Sequence, residues 1–150
     1  VNKQDINLHE ILLTEIMRTS NLLEHGFTNL FNKYELTSSQ YNILRILNGV
    51  EGKTITAGTI KERMINPKSD ATRLIDRLVQ KKLVTRNVSL KNRRQINVGI
   101  TQSGISLIQR IDADLKEKLS AFNDSVLSQD EKTFFIEYLS KLKAQIKSTN

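Results

Sequence analysis

The sequence has no cysteine and a single proline in its 150 residues. Without cysteine there is no disulfide, no thiolate metal site and no thiol-based redox sensing, which suits a reducing cytoplasm, the expected localisation. Histidine is almost as scarce. His9 and His25 stand far apart on one helical stretch, with no third ligand at metal-site spacing beside either. No metal and no other cofactor is expected. A Gly-rich phosphate loop and a nucleophile elbow are both missing, so the chain does not read as an enzyme. No apolar run approaches the roughly 20 residues needed to span a bilayer. No leader with an apolar core opens the chain, so no membrane association is expected.

What is present describes an ordinary globular chain of one-domain length, 38% hydrophobic and 26% charged. The net charge of +7 is unevenly placed. Residues 37–101 hold 13 Lys and Arg against 4 Asp and Glu, whereas the remainder holds 10 against 12. All the positive excess lies in the middle, flanked by slightly acidic ends. Clustered cations suit a polyanionic partner, because neutralising phosphates releases their counterions.

Hydrophobic spacing is helical nearly throughout. Leu8, Leu12, Ile16, Leu23, Phe27, Leu30 and Tyr34 mark one long first helix, with Gly26 as a place for a bend. In LTSSQYNILRIL, Thr37 and Gln40 have the spacing of a capping box, and Tyr41, Leu44 and Leu47 give the buried stripe. Gly49 and Gly52 end that helix. ITAGTIKERM predicts a short extended piece and then a short helix begun by Thr56, with Ile60 and Met64 inward. Next comes the lone proline, Pro67. Either Asn66 or Ser69 can cap the helix that follows, which runs to about Lys82. It buries Ala71, Leu74, Ile75 and Leu78, and its other face carries Ser69, Thr72, Arg73, Asp76, Arg77 and Gln80. After residue 101 a long helix capped by Thr101 carries Ile105, Ile108, Ile111, Leu115, Leu119 and Phe122. Ser128 and Glu131 form a second capping box, and a last helix carries Phe135, Leu139, Leu142 and Ile146.

One segment breaks the helical pattern. In LVTRNVSLKNRRQINVGIT, apolar residues alternate up to Val88 and Leu90 and again through Ile96, Val98 and Ile100. Between them stands a tip of Lys91, Asn92, Arg93 and Arg94. Two short helices followed by such a hairpin make a winged helix-turn-helix. The second short helix is placed to enter a major groove, and the arginine tip suits a narrow minor groove of negative potential.

LTSSQYNILRIL, ITAGTIKERM, SDATRLIDRLVQKKLVTR and NRRQINVGITQSG together resemble the consecutive motifs of the MarR family of bacterial transcriptional regulators. The likeness spans about residues 36–104. It implies a mainly α fold with a small β-hairpin: a winged helix-turn-helix region, residues 36–101, flanked by dimerisation helices in 1–35 and 102–150 of a single 150-residue chain. It also implies a homodimer with interlocked first and last helices, a repressor's binding to an inverted-repeat operator in double-stranded DNA, and, as in many members, release by a small-molecule effector. Ser69, Thr72 and Arg73 match family positions that meet bases and phosphates, and Arg94 matches the wing arginine. Two positions depart from the family pattern: Asn92 stands where the wing carries Asp, and Lys82 where a Gly precedes Leu83.

The expected DNA-binding residues are Lys68, Ser69, Thr72, Arg73, Arg77, Lys91, Asn92, Arg93 and Arg94. Those expected to join two copies are Leu8, Leu12, Ile108, Leu115, Leu119, Phe135, Leu139 and Leu142. The competing readings are a winged module for protein contacts and a nonspecific architectural DNA binder. Sequence preference and salt dependence separate both from a regulator.

Overall fold

The structure, a computed structural model, describes residues 7–88, 95–120 and 126–149. The chain divides into two compact units, Val1–Asp112 and Ala113–Asn150.

The first unit begins with α1 (Leu8–Asn32), capped by the Asn7 side chain and continuous through Gly26. It closes on left-handed Glu35 (φ 54°), with Leu36 N–H donating back to the Phe31 carbonyl at 3.1 Å. α2 (Ser38–Asn48) starts with the expected capping box. Gln40 N–H donates to Thr37 Oγ1 at 3.2 Å, and Thr37 N–H donates to Gln40 Oε1 at 2.9 Å. That exchange gives the side-chain oxygen of buried Gln40 a donor. β1 (Ile55–Thr56) and α3 (Ala57–Arg63) follow, with Thr56 as the cap and both Ile60 and Met64 buried as expected.

α4 (Ala71–Gln80) departs from expectation at its start. Its cap is Asp70, whose side chain accepts from Arg73 N–H at 3.1 Å, rather than Asn66 or Ser69. Asn66 is already engaged: its side chain accepts from Lys68 N–H at 3.2 Å and its carbonyl from Ser69 N–H at 3.2 Å. Asn66 thus shapes the preceding turn and leaves the helix to Asp70. Leu74, expected in the core, is only half-buried, while Ala71, Ile75 and Leu78 are buried. α4 ends at Gln80, two residues earlier than expected, in a Schellman closure. Lys82 N–H meets the Val79 carbonyl at 2.8 Å and Leu83 N–H meets the Leu78 carbonyl at 3.0 Å, with Lys82 left-handed at φ 59°.

β2 (Val84–Val88) and β3 (Ile96–Ile100) pair antiparallel as the hairpin predicts, but the sheet has three strands rather than two. β1 adds to β3, with Ile55 opposite Val98 and Thr56 opposite Asn97, giving the order β1-β3-β2. The inward alternation fades along β2: Val84 is buried, yet Val88 is 61% exposed. Leu90 lies outside the described residues. α5 (Gln102–Ser120) is capped by Thr101, whose Oγ1 accepts from Gly104 N–H at 3.1 Å.

The core gathers around α2. Ile43, Leu44 and Leu47 are fully buried together with Ile60, Ile75, Leu78, Val98, Ile108 and Ile111. Ile108 is therefore a correction. Expected in the contact between two copies, it is 1% exposed within one chain and has no side-chain surface left to offer a partner.

The second unit holds the end of α5 and α6 (Gln129–Thr149). α6 begins with the expected second capping box, Ser128 N–H donating to Glu131 Oε2 at 2.8 Å and Glu131 N–H donating to Ser128 Oγ at 3.3 Å. Ser128 N–H and, at 2.9 Å, the Ser128 hydroxyl both donate to Glu131 Oε2 and hold that carboxyl below its ordinary pKa. No residue of α6 is buried. Phe122 lies outside the described residues.

Candidate nucleic-acid interface

α4 is amphipathic because its apolar positions recur at helical spacing, which turns the intervening polar residues outward. Thr72, Arg73 and Arg77 are exposed on that outer face. Lys68 is exposed in the turn before the helix. Ser69, expected on the exposed face of α4, instead precedes the Asp70 cap and is half-buried. Lys91, Asn92, Arg93 and Arg94 lie outside the described residues.

Three features of this surface escape a reading of the sequence. The first is the ion pair of Arg86 on β2 with Asp76 on α4. Asp76 was expected simply to face solvent, yet it ties the outer helix to the base of the hairpin. Arg86 lines a shallow recess with Ala57, Thr72, Ile75 and Ile96. The available signal was its register: Val84, Arg86 and Val88 share one strand face by the two-residue period, so the arginine interrupts an inward apolar row.

A second feature holds the turn ahead of α4. Asn42 on α2 accepts from Ile65 N–H at 2.9 Å through Oδ1, so the core helix pins the connection between α3 and α4.

The third is the joint between α2 and the start of α5. Tyr41 OH donates to Asp112 Oδ1 at 2.9 Å and Arg45 donates to Asp112 Oδ2 at 2.8 Å. Tyr41 also stacks on Phe31, ring centroids 4.4 Å apart. Burial, reinforced by the bond to Asp112, pushes the Tyr41 phenol up to about 12. Nearby, Thr101 Oγ1 donates to the carbonyls of Lys82 (2.8 Å) and Leu83 (3.0 Å). Gly104 is required there, since a Cβ would overlap the Leu83 carbonyl oxygen and lie 2.7 Å from Ile100 Cγ1.

Residues 34–95, which span α2 to β2, match the model of the MarR family. The chain is 26% identical over 149 residues to the HTH-type transcriptional regulator PecS of Dickeya dadantii (strain 3937), covering 96% of this chain and 87% of that protein. The crystal structure of a MarR transcription factor from Planctomyces limnophilus is 28% identical and superposes with a TM-score of 0.68, over 92% of this chain and 98% of that one. The chain is thus similar to the MarR family in that segment and in its fold. A cysteine-to-serine mutant of MarR from E. coli, solved in complex with operator DNA, shares the fold: TM-score 0.74, 21% identity, 93% of this chain and 99% of that one.

The MarR family is one of transcriptional regulators rather than enzymes. The segment matched to its model takes in α4, the turn before it and the Asp76–Arg86 pair. It also lies almost wholly within the segment that carries the positive excess. Among the described residues, no group of His, Asp and Glu side chains could hold a metal ion. No described helix is long and apolar enough to cross a membrane.

Proposed function

We propose that this regulator acts in the cytoplasm as a homodimer on an inverted-repeat operator, repressing transcription. α4 enters the major groove and the wing tip reaches the adjacent minor groove. The observation that carries this reading is α4 itself: Thr72, Arg73 and Arg77 stand exposed on one short helix within the segment of positive excess. The E. coli relative solved with operator DNA supports the same use of the fold. Lys68, Ser69, Thr72, Arg73 and Arg77 then form the helix-side contacts, with Lys91, Asn92, Arg93 and Arg94 on the wing side. Residues 36–101 act as the DNA-binding region and 1–35 with 102–150 as the dimerisation helices. Leu8, Leu12, Leu119, Phe135 and Leu139, all exposed, and Leu115 and Leu142, half-buried, supply the contact between copies. A small-molecule effector that releases DNA completes the reading on the family likeness.

Selection of bound DNA from a random pool tests this, with a palindrome as the expected product. Arg73→Ala then costs about 1–3 kcal/mol and relaxes preference at one base position per half-site, if Arg73 makes a bidentate base contact. Equal weakening on every sequence would make Arg73 a phosphate clamp. A pool that yields no preferred sequence would leave a nonspecific binder.

A further inference from the structure

Ile65 is the most exposed large hydrophobic side chain among the described residues, at 87%. Between Thr37 and Val88 every other described large hydrophobic except Val88 is buried or half-buried. Its neighbour Met64 points into the core. The backbone around Ile65 is held in place. Its N–H is bound to Asn42 Oδ1 at 2.9 Å, the Asn66 turn closes directly after it, and Pro67 fixes the next φ. A pinned loop that keeps an isoleucine in water gains nothing for the free protein, since burying that side chain is what would be favourable.

The surroundings select the partner. Ile65 is flanked by Arg63 and Lys68, and no acidic residue occurs from Arg63 to Ser69. The loop leads into the N-terminal end of α4, the end that meets base edges when such a helix lies in the major groove. A cationic loop carrying one fixed apolar group matches a polyanion that itself presents an apolar group. In the major groove that group is the C5-methyl of thymine.

We propose that Ile65 reads a thymine methyl in each half-site of the operator, and that Asn42 is the positioning residue that holds it there. This rests on the DNA-binding reading above. The test uses the full-length dimer and an operator taken from the random-pool selection. Each thymine is replaced singly by deoxyuridine, which removes the methyl and keeps every hydrogen-bonding group. At one position per half-site, deoxyuridine should weaken wild-type binding about 3- to 5-fold, the worth of roughly one buried methyl. Ile65→Ala should lose a similar factor on the thymine operator and be indifferent to deoxyuridine there. Asn42→Ala should lose the same discrimination, whereas Asn42→Asp, which keeps the acceptor, should retain the thymine-to-deoxyuridine ratio even if the added charge weakens all binding. That ratio is a readout that a merely structural role for Asn42 would not move.

The proposal is overturned if wild type and Ile65→Ala respond alike to every deoxyuridine. It is equally overturned if Ile65→Ala weakens specific and scrambled DNA by the same factor, which would place Ile65 on the sugar-phosphate backbone. Unaltered DNA binding by Ile65→Ala would also overturn it and leave the side chain for a protein partner. A wild-type protein that selects no DNA fails at the earlier step and overturns the DNA-binding reading itself.

Discussion

The residues around α2 and those of α6 share one kind of sequence pattern and meet opposite fates. Leu44 and Leu47 on α2, Ile75 and Leu78 on α4 and Ile108 on α5 recur at helical spacing and are fully buried. Phe135, Leu139 and Ile146 on α6 recur in the same way, yet they are exposed, along with Phe134, Ile136 and Tyr138 beside them. Much of α1 resembles α6: Leu8, Ile11, Leu12, Leu13, Met17, Leu22 and Leu23 are exposed, and only Phe31 is buried. A period in the sequence says that a helix has an apolar face, and it is silent on what covers that face. Exposed apolar side chains in such number along a helix mark an interaction site. In the proposed homodimer a second copy supplies the cover.

The widest test of that contrast sets α6 against Ile108. Phe135→Glu with Leu139→Glu should convert the dimer to monomer at micromolar concentration in sedimentation and abolish tight operator binding, because 57% and 41% of these side chains lie open to a partner. Ile108→Ala should do the reverse. It removes a core side chain and so costs about 2–5 kcal/mol of stability, with the protein still dimeric at temperatures where it is folded. A dimer that survives both α6 glutamates would remove the apolar face of α6 from the interface.

Gly104→Ala should cost somewhat less, about 1–3 kcal/mol, as overpacking does. The obstacle is backbone: the Leu83 carbonyl that a new Cβ would meet is already fixed by Thr101 N–H and Oγ1, each at 3.0 Å. The start of α5 would have to move off the sheet. Thermal unfolding at fixed protein concentration measures the loss. An unchanged melting temperature would mean that this close approach is not kept in solution.

These residues also show where the sequence stops being legible. Both capping boxes were readable, because each needs only two residues of fixed type at a fixed spacing. The cap of α4 was not, since Asn66, Ser69 and Asp70 are all good caps within five positions and the choice depends on which turn Asn66 closes. β1 is two residues long, too short to carry an alternation, and it exists by pairing with β3. Ile108 was misassigned because one stripe on α5 serves two purposes, with Ile108 and Ile111 packed on the chain's own core and Leu119 left exposed. Within the candidate interface, the outward face of α4 was readable from its period. Arg86 and Asn42 were not, because each acts on a residue far along the chain.

The joint between α2 and α5 gives an effect that appears only in alkali. The Tyr41 phenol is raised from 10.0 to about 12 in the folded chain, by burial first and by its bond to Asp112 second. A raised acid favours the folded state fully below its unfolded pKa and loses that advantage as pH climbs through the folded value. Between pH 10 and 12 the wild type should therefore lose about 2 kcal/mol more stability than Tyr41→Phe does. Near neutral pH the order reverses, with Tyr41→Phe less stable by about 1 kcal/mol for the missing hydrogen bond. Parallel pH profiles for the two proteins would show that Tyr41 is solvated.

The smallest effect concerns Lys82, where most of the family's motif calls for glycine. The residue sits at φ 59° at the end of α4, a conformation that costs an L-residue about 1–2 kcal/mol. Its ammonium repays part of that by lying at the negative end of the helix dipole, about 0.3–1 kcal/mol at low salt. Two substitutions separate these contributions. Lys82→Ala keeps a Cβ in the left-handed region and removes the charge, so it should lower stability by a few tenths of a kcal/mol at low salt and by nothing measurable at high salt. Lys82→Gly removes the Cβ as well, and gives back about 0.4–1 kcal/mol through the looser unfolded chain. The glycine variant should then be more stable than the alanine variant by about 0.5–1 kcal/mol at every salt concentration, and about level with wild type at low salt. A chain of this size registers that as roughly 2–4 °C in melting temperature per kcal/mol. Equal stability of the two variants would mean that the backbone at Lys82 relaxes out of the left-handed region. The Schellman bonds from Lys82 and Leu83 to α4 would then have to break with it.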